Sequence, residues 1–193
     1  PPSDPDLGDK VKAIQKEFLE GYPNIATREN LKKILDGLEA RIKPDDEFVL
    51  VLSMHGDSFG NIHFEYDNSW LDGSSLASIL QGNRSRNILI VADTCHAEAF
   101  IDGIDYWGRF IAASKRDMYA WGDRNFSLSR VFFEQMANPE NDVNGDGVVS
   151  PYEAYVPTKR LCSDYRQRID RFLRFEYEGK GLPETVLERM DLL

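Results

Sequence analysis

The spacing of apolar residues changes along this chain, and the changes divide it into elements. Val11, Ile14 and Phe18 recur at helical spacing and predict a helix ending near Gly21 to Pro23. Thr27 is placed as the N-cap of a second helix whose Leu31, Ile34, Leu35, Leu38 and Ile42 form one apolar stripe. Pro44-Asp45-Asp46 breaks that pattern. Phe48 to Met54 is then apolar nearly throughout, as expected of a strand in a parallel sheet covered on both faces. Asn61 to Tyr66 predicts a small hairpin arm after a turn around Gly60. Asp72 is the expected cap of a helix running through Leu80. Asn87 to Ala92 reads as a second continuous apolar strand, and Arg109 to Ala113 as a third. From Ser127 the chain reads mostly helical, apart from an acidic Asn/Gly loop between Asn141 and Ser150. Strands separated by helices predict an α/β domain whose mostly parallel sheet is flanked by helices. There is no internal repeat, so residues 1–193 are expected to form one domain, with the Pro- and Asp-rich residues 1–8 mobile.

Composition narrows the class without naming it. A chain of 193 residues can bury a substantial core. Its net charge of -10 has no offsetting basic stripe, which argues against nucleic acid and anionic membrane as partners. No apolar run approaches the roughly 18 residues of a membrane span, so membrane insertion is not expected. Two cysteines, Cys95 and Cys162, are too few for a disulfide framework. Both are expected to be free thiols, although spacing leaves one bridge between them open. The chain opens Pro-Pro-Ser-Asp-Pro without Met or leader, the look of a trimmed or processed form.

Chemistry concentrates where strands end. The first strand runs into His55-Gly56-Asp57 and the second into Asp93-Thr94-Cys95-His96. Open parallel sheets bind ligands beyond the carboxyl ends of their strands, so residues at neighbouring exits can meet across a crevice. A thiolate is a nucleophile, and imidazole can stabilise it or protonate a leaving amine. Gly56 has no side chain, and its N–H together with that of Cys95 could stabilise a tetrahedral oxyanion. A lone Cys or a lone His at such a place is usually inert; the two together are harder to dismiss. Asp57 either orients His55 or caps the turn. His96, expected to begin the next helix, and His63, in the hairpin arm, are read as non-catalytic.

The segments "EFVLVLSMHGD" and "NILIVADTCHAEAF" together resemble the paired signature of the caspase-like cysteine peptidases. "DTCH" looks closest to metacaspases, and "FIAASKRDMYAWGD" resembles a segment of legumain-like enzymes. The resemblance covers roughly Thr27 to Tyr155 and implies a caspase-like three-layer sandwich. It implies a His55–Cys95 catalytic dyad, Gly56 in the oxyanion hole, and Asp93 and Ser114 lining the pocket for the substrate's P1 residue. An acid at Asp93 suits Arg or Lys at P1, whereas legumain-like relatives with an acid there prefer Asn. Asp93 is alternatively a cap for the helix that follows it. Two departures stand out. The strand that normally opens this fold is not apparent near the N-terminus, and Ala97-Glu98 replaces the usual Ser-Gly pair, putting an acid near the crevice.

"DVNGDGVVSPYE" places Asp142, Asn144, Asp146, Ser150 and Glu153 at positions one, three, five, nine and twelve of an EF-hand pattern. Gly147 sits at the sharp turn, and the Val148 carbonyl would complete an oxygen set for a structural Ca2+. The competing interpretation is a surface turn with Ser150 as N-cap and Pro151 at the first helical position. The resulting expectation is a cysteine endopeptidase acting on peptide or protein through an acyl-enzyme, with Arg/Lys or Asn/Asp at P1. A catalytically silent module of the same fold and a calcium-dependent interaction protein are the alternatives. A secreted or periplasmic home is favoured over a cytoplasmic one because calcium is plentiful there.

Overall fold

The computed structural model describes residues 25–39, 41–81, 87–104, 108–120 and 126–177. The helix expected around Val11, Ile14 and Phe18, and the mobile residues 1–8, lie outside these. In chain order the elements are α1 (Arg28–Glu39), β1 (Glu47–Ser53), β2 (His55–Gly56), β3 (Asn61–Phe64), β4 (Ser69–Asp72), α2 (Gly73–Leu80) and β5 (Asn87–Asp93). They continue with α3 (Ala97–Asp102), β6 (Arg109–Ala112), α4 (Leu128–Met136), a short 3-10 turn (Pro139–Asn141) and α5 (Pro151–Tyr177). Mixed α/β architecture is therefore observed as the apolar spacing predicted. No described helix is long and apolar enough to cross a membrane.

Strands β1, β5 and β6 form a parallel sheet with β5 in the centre. The two faces of β5 follow the period-two rule. Ile88, Ile90 and Ala92 join a core with Leu35, Leu76, Leu80 and Phe100, from α1, α2 and α3. Leu89 and Val91 join a second core with Leu128, Val131 and Phe132 of α4 and Ala154 and Cys162 of α5. Helices thus cover the sheet on both faces, and the six residues of β5 after Asn87 are buried, as a doubly covered strand requires.

Strand β1 departs from that expectation. It lies at an edge of the three-stranded sheet, and its exposure alternates along its length. Phe48, Leu50 and Leu52 pack on the first core, while Val49 and Val51 remain 40% and 39% exposed. Among the described residues, the helices of the second core pack against β5 and β6, and β1 adds no residue to that core. The stripe on α1 is also narrower than its spacing implied. Leu31 and Leu35 face the core, Ile34 is 52% exposed, and Ile42 falls beyond the helix.

Local capping follows the sequence closely. The Thr27 hydroxyl accepts from the Asn30 N–H at 3.0 Å, starting α1. Asp72 caps α2 by accepting from the Ser75 N–H at 2.8 Å and from the Ser74 and Ser75 hydroxyls. Those bonds, the Ser74 hydroxyl foremost, hold its carboxyl well below the usual range. The hairpin arm is larger than predicted. His55–Gly56 is itself a strand, and the unpredicted β4 completes an antiparallel sheet ordered β2-β3-β4. The arm is fixed by Ile62, Phe64 and Leu71, all buried in the first core.

Candidate active site

The parallel register brings the two motifs together. Ser53 of β1 is aligned with Asp93 of β5. His55 and Cys95 each lie two residues further on, at the same end of neighbouring strands. Both line one cavity of about 540 Å3, together with Asp93, Thr94, Glu65 and Tyr66 among others. This is the strand-exit crevice of an open parallel sheet, built from the residues that sequence placed there.

Gly56 explains why the exits sit so close. A Cβ at this position would lie inside 3.0 Å of both the Cys95 carbonyl oxygen and Thr94 Oγ1. Only glycine lets the β2 backbone lie against the Thr94-Cys95 peptide. The hydrogen bond from the Asp57 N–H to the Asn61 carbonyl, 3.0 Å, sets the phase of the β2–β3 ladder. With Gly56 opposite Ile62, Gly56 falls on a non-hydrogen-bonded pair, so its N–H points away from β3. The Cys95 N–H donates to no described residue.

His55 is exposed, and its Nε2 pairs with Glu65 Oε1 at 3.1 Å. Cys95 is half-buried, and its thiol contacts the Ala120 carbonyl at 3.8 Å. No hydrogen bond joins the imidazole to the thiol. Asp93, buried among the cavity walls, accepts from the Ser129 N–H at 2.9 Å and from the Ser129 hydroxyl. It therefore satisfies a first-turn N–H of α4, 36 residues away, beside the N-cap Ser127, whose hydroxyl accepts from the Arg130 N–H, and it does not cap the helix that follows it in sequence. Ser114 is buried and is not among the cavity walls: its hydroxyl donates to the Thr94 carbonyl at 3.0 Å and accepts from the Ala97 N–H at 3.1 Å. It ties the β5 exit to α3.

Other sequence candidates resolve into supports. Asp57 caps the turn, accepting from the N–H groups of Phe59 and Asn61 at 2.9 Å each and from the Asn61 amide. Burial raises its carboxyl, but the Asn61 and Phe59 bonds and the charge of His96 outweigh burial and hold it below the usual range. His96, at φ 55°, is in the left-handed region immediately after Cys95. It is held there by its N–H to the Met118 carbonyl, by Nδ1 against the Arg116 carbonyl, both 2.9 Å, and by an edge contact with Tyr119. Glu98 accepts from the Arg116 N–H at 2.9 Å and is not among the cavity walls. The two cysteines are free thiols, as expected. Cys162 is buried in the second core, where burial first, and the charge of Asp93 second, push its thiol up to about 12.

Sequence reasoning did not place Glu65 or His63 at the cavity. His63 stands opposite His55 across the β2–β3 ladder, stacks on Trp70 at 4.5 Å and lines the same cavity. The alternation of β3, continued one residue into the turn that follows it, carried the signal, since residues 63 and 65 fall on the face that His55 shares.

The acidic loop folds around its own carboxylates. Asp142 accepts from the N–H groups of Gly145 and Gly147 at 2.8 and 2.9 Å, and Asp146 from that of Val148 at 2.9 Å. Gly147, at φ 89°, makes the sharp turn the pattern needs at position six. Ser150 and Glu153 form a capping box: the Ser150 hydroxyl accepts from the Glu153 N–H while Glu153 Oε2 accepts from the Ser150 N–H. The Ser150 bonds, backbone first, hold the Glu153 carboxyl below the usual range. Among the described residues no group of three or more His, Cys, Asp or Glu side chains is arranged to hold a metal. The loop's oxygens nevertheless suit a hard cation in type and spacing. Both Glu153 oxygens already accept from loop backbone, so bidentate capture would have to share those bonds.

Comparison with protein-family models, with curated proteins and with solved structures returned no match.

Proposed function

We propose that this chain is a cysteine endopeptidase of caspase-like fold with His55 and Cys95 as its dyad. The observation that carries the proposal is the shared cavity of two residues displaced equally past a register-paired strand end. Cys95 Sγ attacks the scissile carbonyl carbon while its proton passes to His55. The C–N bond breaks as the imidazolium returns that proton to the leaving amine. Water, deprotonated by His55, then hydrolyses the thioester to release the acid and restore the thiol. Gly56 supplies an N–H directed away from its own ladder, and Cys95 supplies a second, for the oxyanion.

The cavity also argues for a substrate class. Glu65 and Asp93 are both walls, and no Lys or Arg is among the described residues that line it. Glu65 is paired with His55, whereas Asp93 meets no cation in the walls, and that carboxylate favours a basic P1 side chain over Asn or Asp. Turnover of fluorogenic peptides varied at P1 tests this. Cleavage after Arg or Lys is expected, reduced at least about 10³-fold in Cys95→Ala. No turnover from the wild-type chain would favour a silent binding module, and turnover that survives Cys95→Ala would remove Cys95 as the nucleophile.

We assign the loop from Asp142 to Glu153 as a structural Ca2+ site. Asp142, Asn144, Asp146, Ser150, Glu153 and the Val148 carbonyl would supply the oxygens, and the ion would brace the junction between the 3-10 turn and α5. Calcium at about 100 times its Kd is expected to add about 2.7 kcal/mol to stability, a rise in melting temperature of roughly 5 to 10 °C over chelator. An unchanged melting temperature, with Asp142→Ala equally stable in calcium and chelator, would leave the loop as a capped turn.

A further inference from the structure

We propose that Glu65 is a positioning residue for His55, holding the imidazole by Nε2 so that Nδ1 is the nitrogen that exchanges protons with Cys95 and the leaving amine. The inference rests on the peptidase reading of the site and adds a third member to it. Four observations carry it. Glu65 Oε1 lies 3.1 Å from His55 Nε2. Both residues line the cavity that contains Cys95. The β2–β3 register puts His55 opposite His63, which makes Glu65 the diagonal neighbour on the same face. The carboxylate is delivered by the turn at 65–68, whose shape is fixed by the Ser69 N–H and hydroxyl on Asp67 and by His63 Nε2 against Asn68 Oδ1.

A carboxylate on one imidazole nitrogen fixes the proton there and stabilises the imidazolium once the second nitrogen has taken a proton. In the first step the thiol proton passes to Nδ1, the S–C bond forms and the carbonyl π electrons move to oxygen. As the C–N bond breaks, the Nδ1 proton goes to the departing nitrogen. Glu65 keeps the Nε2–H bond throughout and is neither protonated nor consumed. The other cavity-wall groups able to carry or share charge are His63, Tyr66, Asp93 and Cys95. Among the described residues the only ion pair His55 makes is with Glu65.

A bland role for this contact is an exposed cross-strand pair that steadies the hairpin, and the test must separate the two. Glu65→Ala and Glu65→Gln would be compared with the wild-type chain on a basic-P1 peptide. In parallel, melting temperature and the rate of Cys95 alkylation by iodoacetamide would be measured, the second needing no substrate. Cys162, buried and held protonated, should stay unlabelled. The expected result for Glu65→Ala is a kcat about three- to five-fold lower, KM within about two-fold of wild type and an unchanged melting temperature, the scale of an exposed charged contact. Cys95 alkylation should slow in parallel. Glu65→Gln, whose amide oxygen still accepts from Nε2–H, should recover at least half of the loss. An unchanged or raised kcat would overturn the proposal, and so would a change confined to KM, which would make Glu65 a substrate-binding acid. If no peptide is cleaved by any variant but Glu65→Ala still slows alkylation, the contact to His55 stands and the peptidase reading fails alone. Equal alkylation rates would overturn the contact itself.

Discussion

Gly56→Ala is expected to lower the melting temperature and to reduce peptide turnover by more than the lost stability explains. The new methyl would lie inside 3.0 Å of the Cys95 carbonyl oxygen and of Thr94 Oγ1. The hydroxyl can rotate aside, but the carbonyl is backbone at the β5 exit and moves only with Cys95. Relief by shifting backbone typically costs about 1 to 3 kcal/mol, or roughly 3 to 10 °C in a chain of this length. The shift would fall on the proposed nucleophile and on one proposed oxyanion donor together, and misplacing catalytic groups by about 1 Å can cost on the order of 100-fold in rate. Gly37→Ala is the matched control. It lies within α1, where a methyl would meet no described residue beyond its own stretch of helix within 4 Å, so it should leave turnover intact and add about 0.5 to 1 kcal/mol of stability. Equal turnover in the two variants would remove Gly56 from the catalytic arrangement.

That arrangement is partly legible in the amino-acid sequence, and the boundary of legibility is physical. The apolar run Asn87 to Ala92 declares a strand buried on both faces because every position but the first has to be apolar when helices lie above and below. The run Phe48 to Met54 carries the same pattern, yet β1 is half open on one face, since Val49 and Val51 have no described helix over them. An apolar run records that a residue tolerates burial, and cover from elsewhere in the chain decides whether burial occurs. The two motifs at the strand exits are readable because strand ends are local events. Their alignment is not, because it depends on the Ser53 and Asp93 register across a connection of some forty residues. Strand β4, Ser69-Trp70-Leu71-Asp72, has too few apolar positions to announce itself and exists through pairing with β3. Ser114 matches a pocket position by resemblance, but its hydroxyl is spent between Thr94 and Ala97. Glu65 is invisible for the opposite reason: nothing about a turn glutamate signals a histidine ten residues earlier until the hairpin is folded.

Asp93→Asn separates the observed role of one buried carboxylate from its proposed one, and its effect on basic substrates should be the largest of any conservative change in the cavity. Asp93 accepts two bonds from Ser129 through Oδ2 and places a negative charge at the N-terminus of α4, where the helix dipole favours it. An asparagine keeps an oxygen that can accept from the Ser129 N–H, so that first-turn bond of α4 is kept. Only the charge is lost, for about 1 kcal/mol of stability or roughly 2 to 4 °C. If the same carboxylate recognises a P1 Arg or Lys, a charge-assisted bond worth about 1.5 to 3 kcal/mol disappears, which is about 10- to 150-fold in kcat/KM. Peptides with neutral P1 residues should lose far less, so the ratio between the classes is the diagnostic quantity. Asp93→Ala should add a further loss of about 1 to 3 kcal/mol, because the Ser129 N–H is left without an acceptor. A uniform loss across basic and neutral peptides, tracking melting temperature through both variants, would reduce Asp93 to a support for the first turn of α4. With Glu65 paired to His55, the cavity would then hold no acid that selects basic peptides, and a Glu65 variant with unchanged KM on them would agree with that outcome.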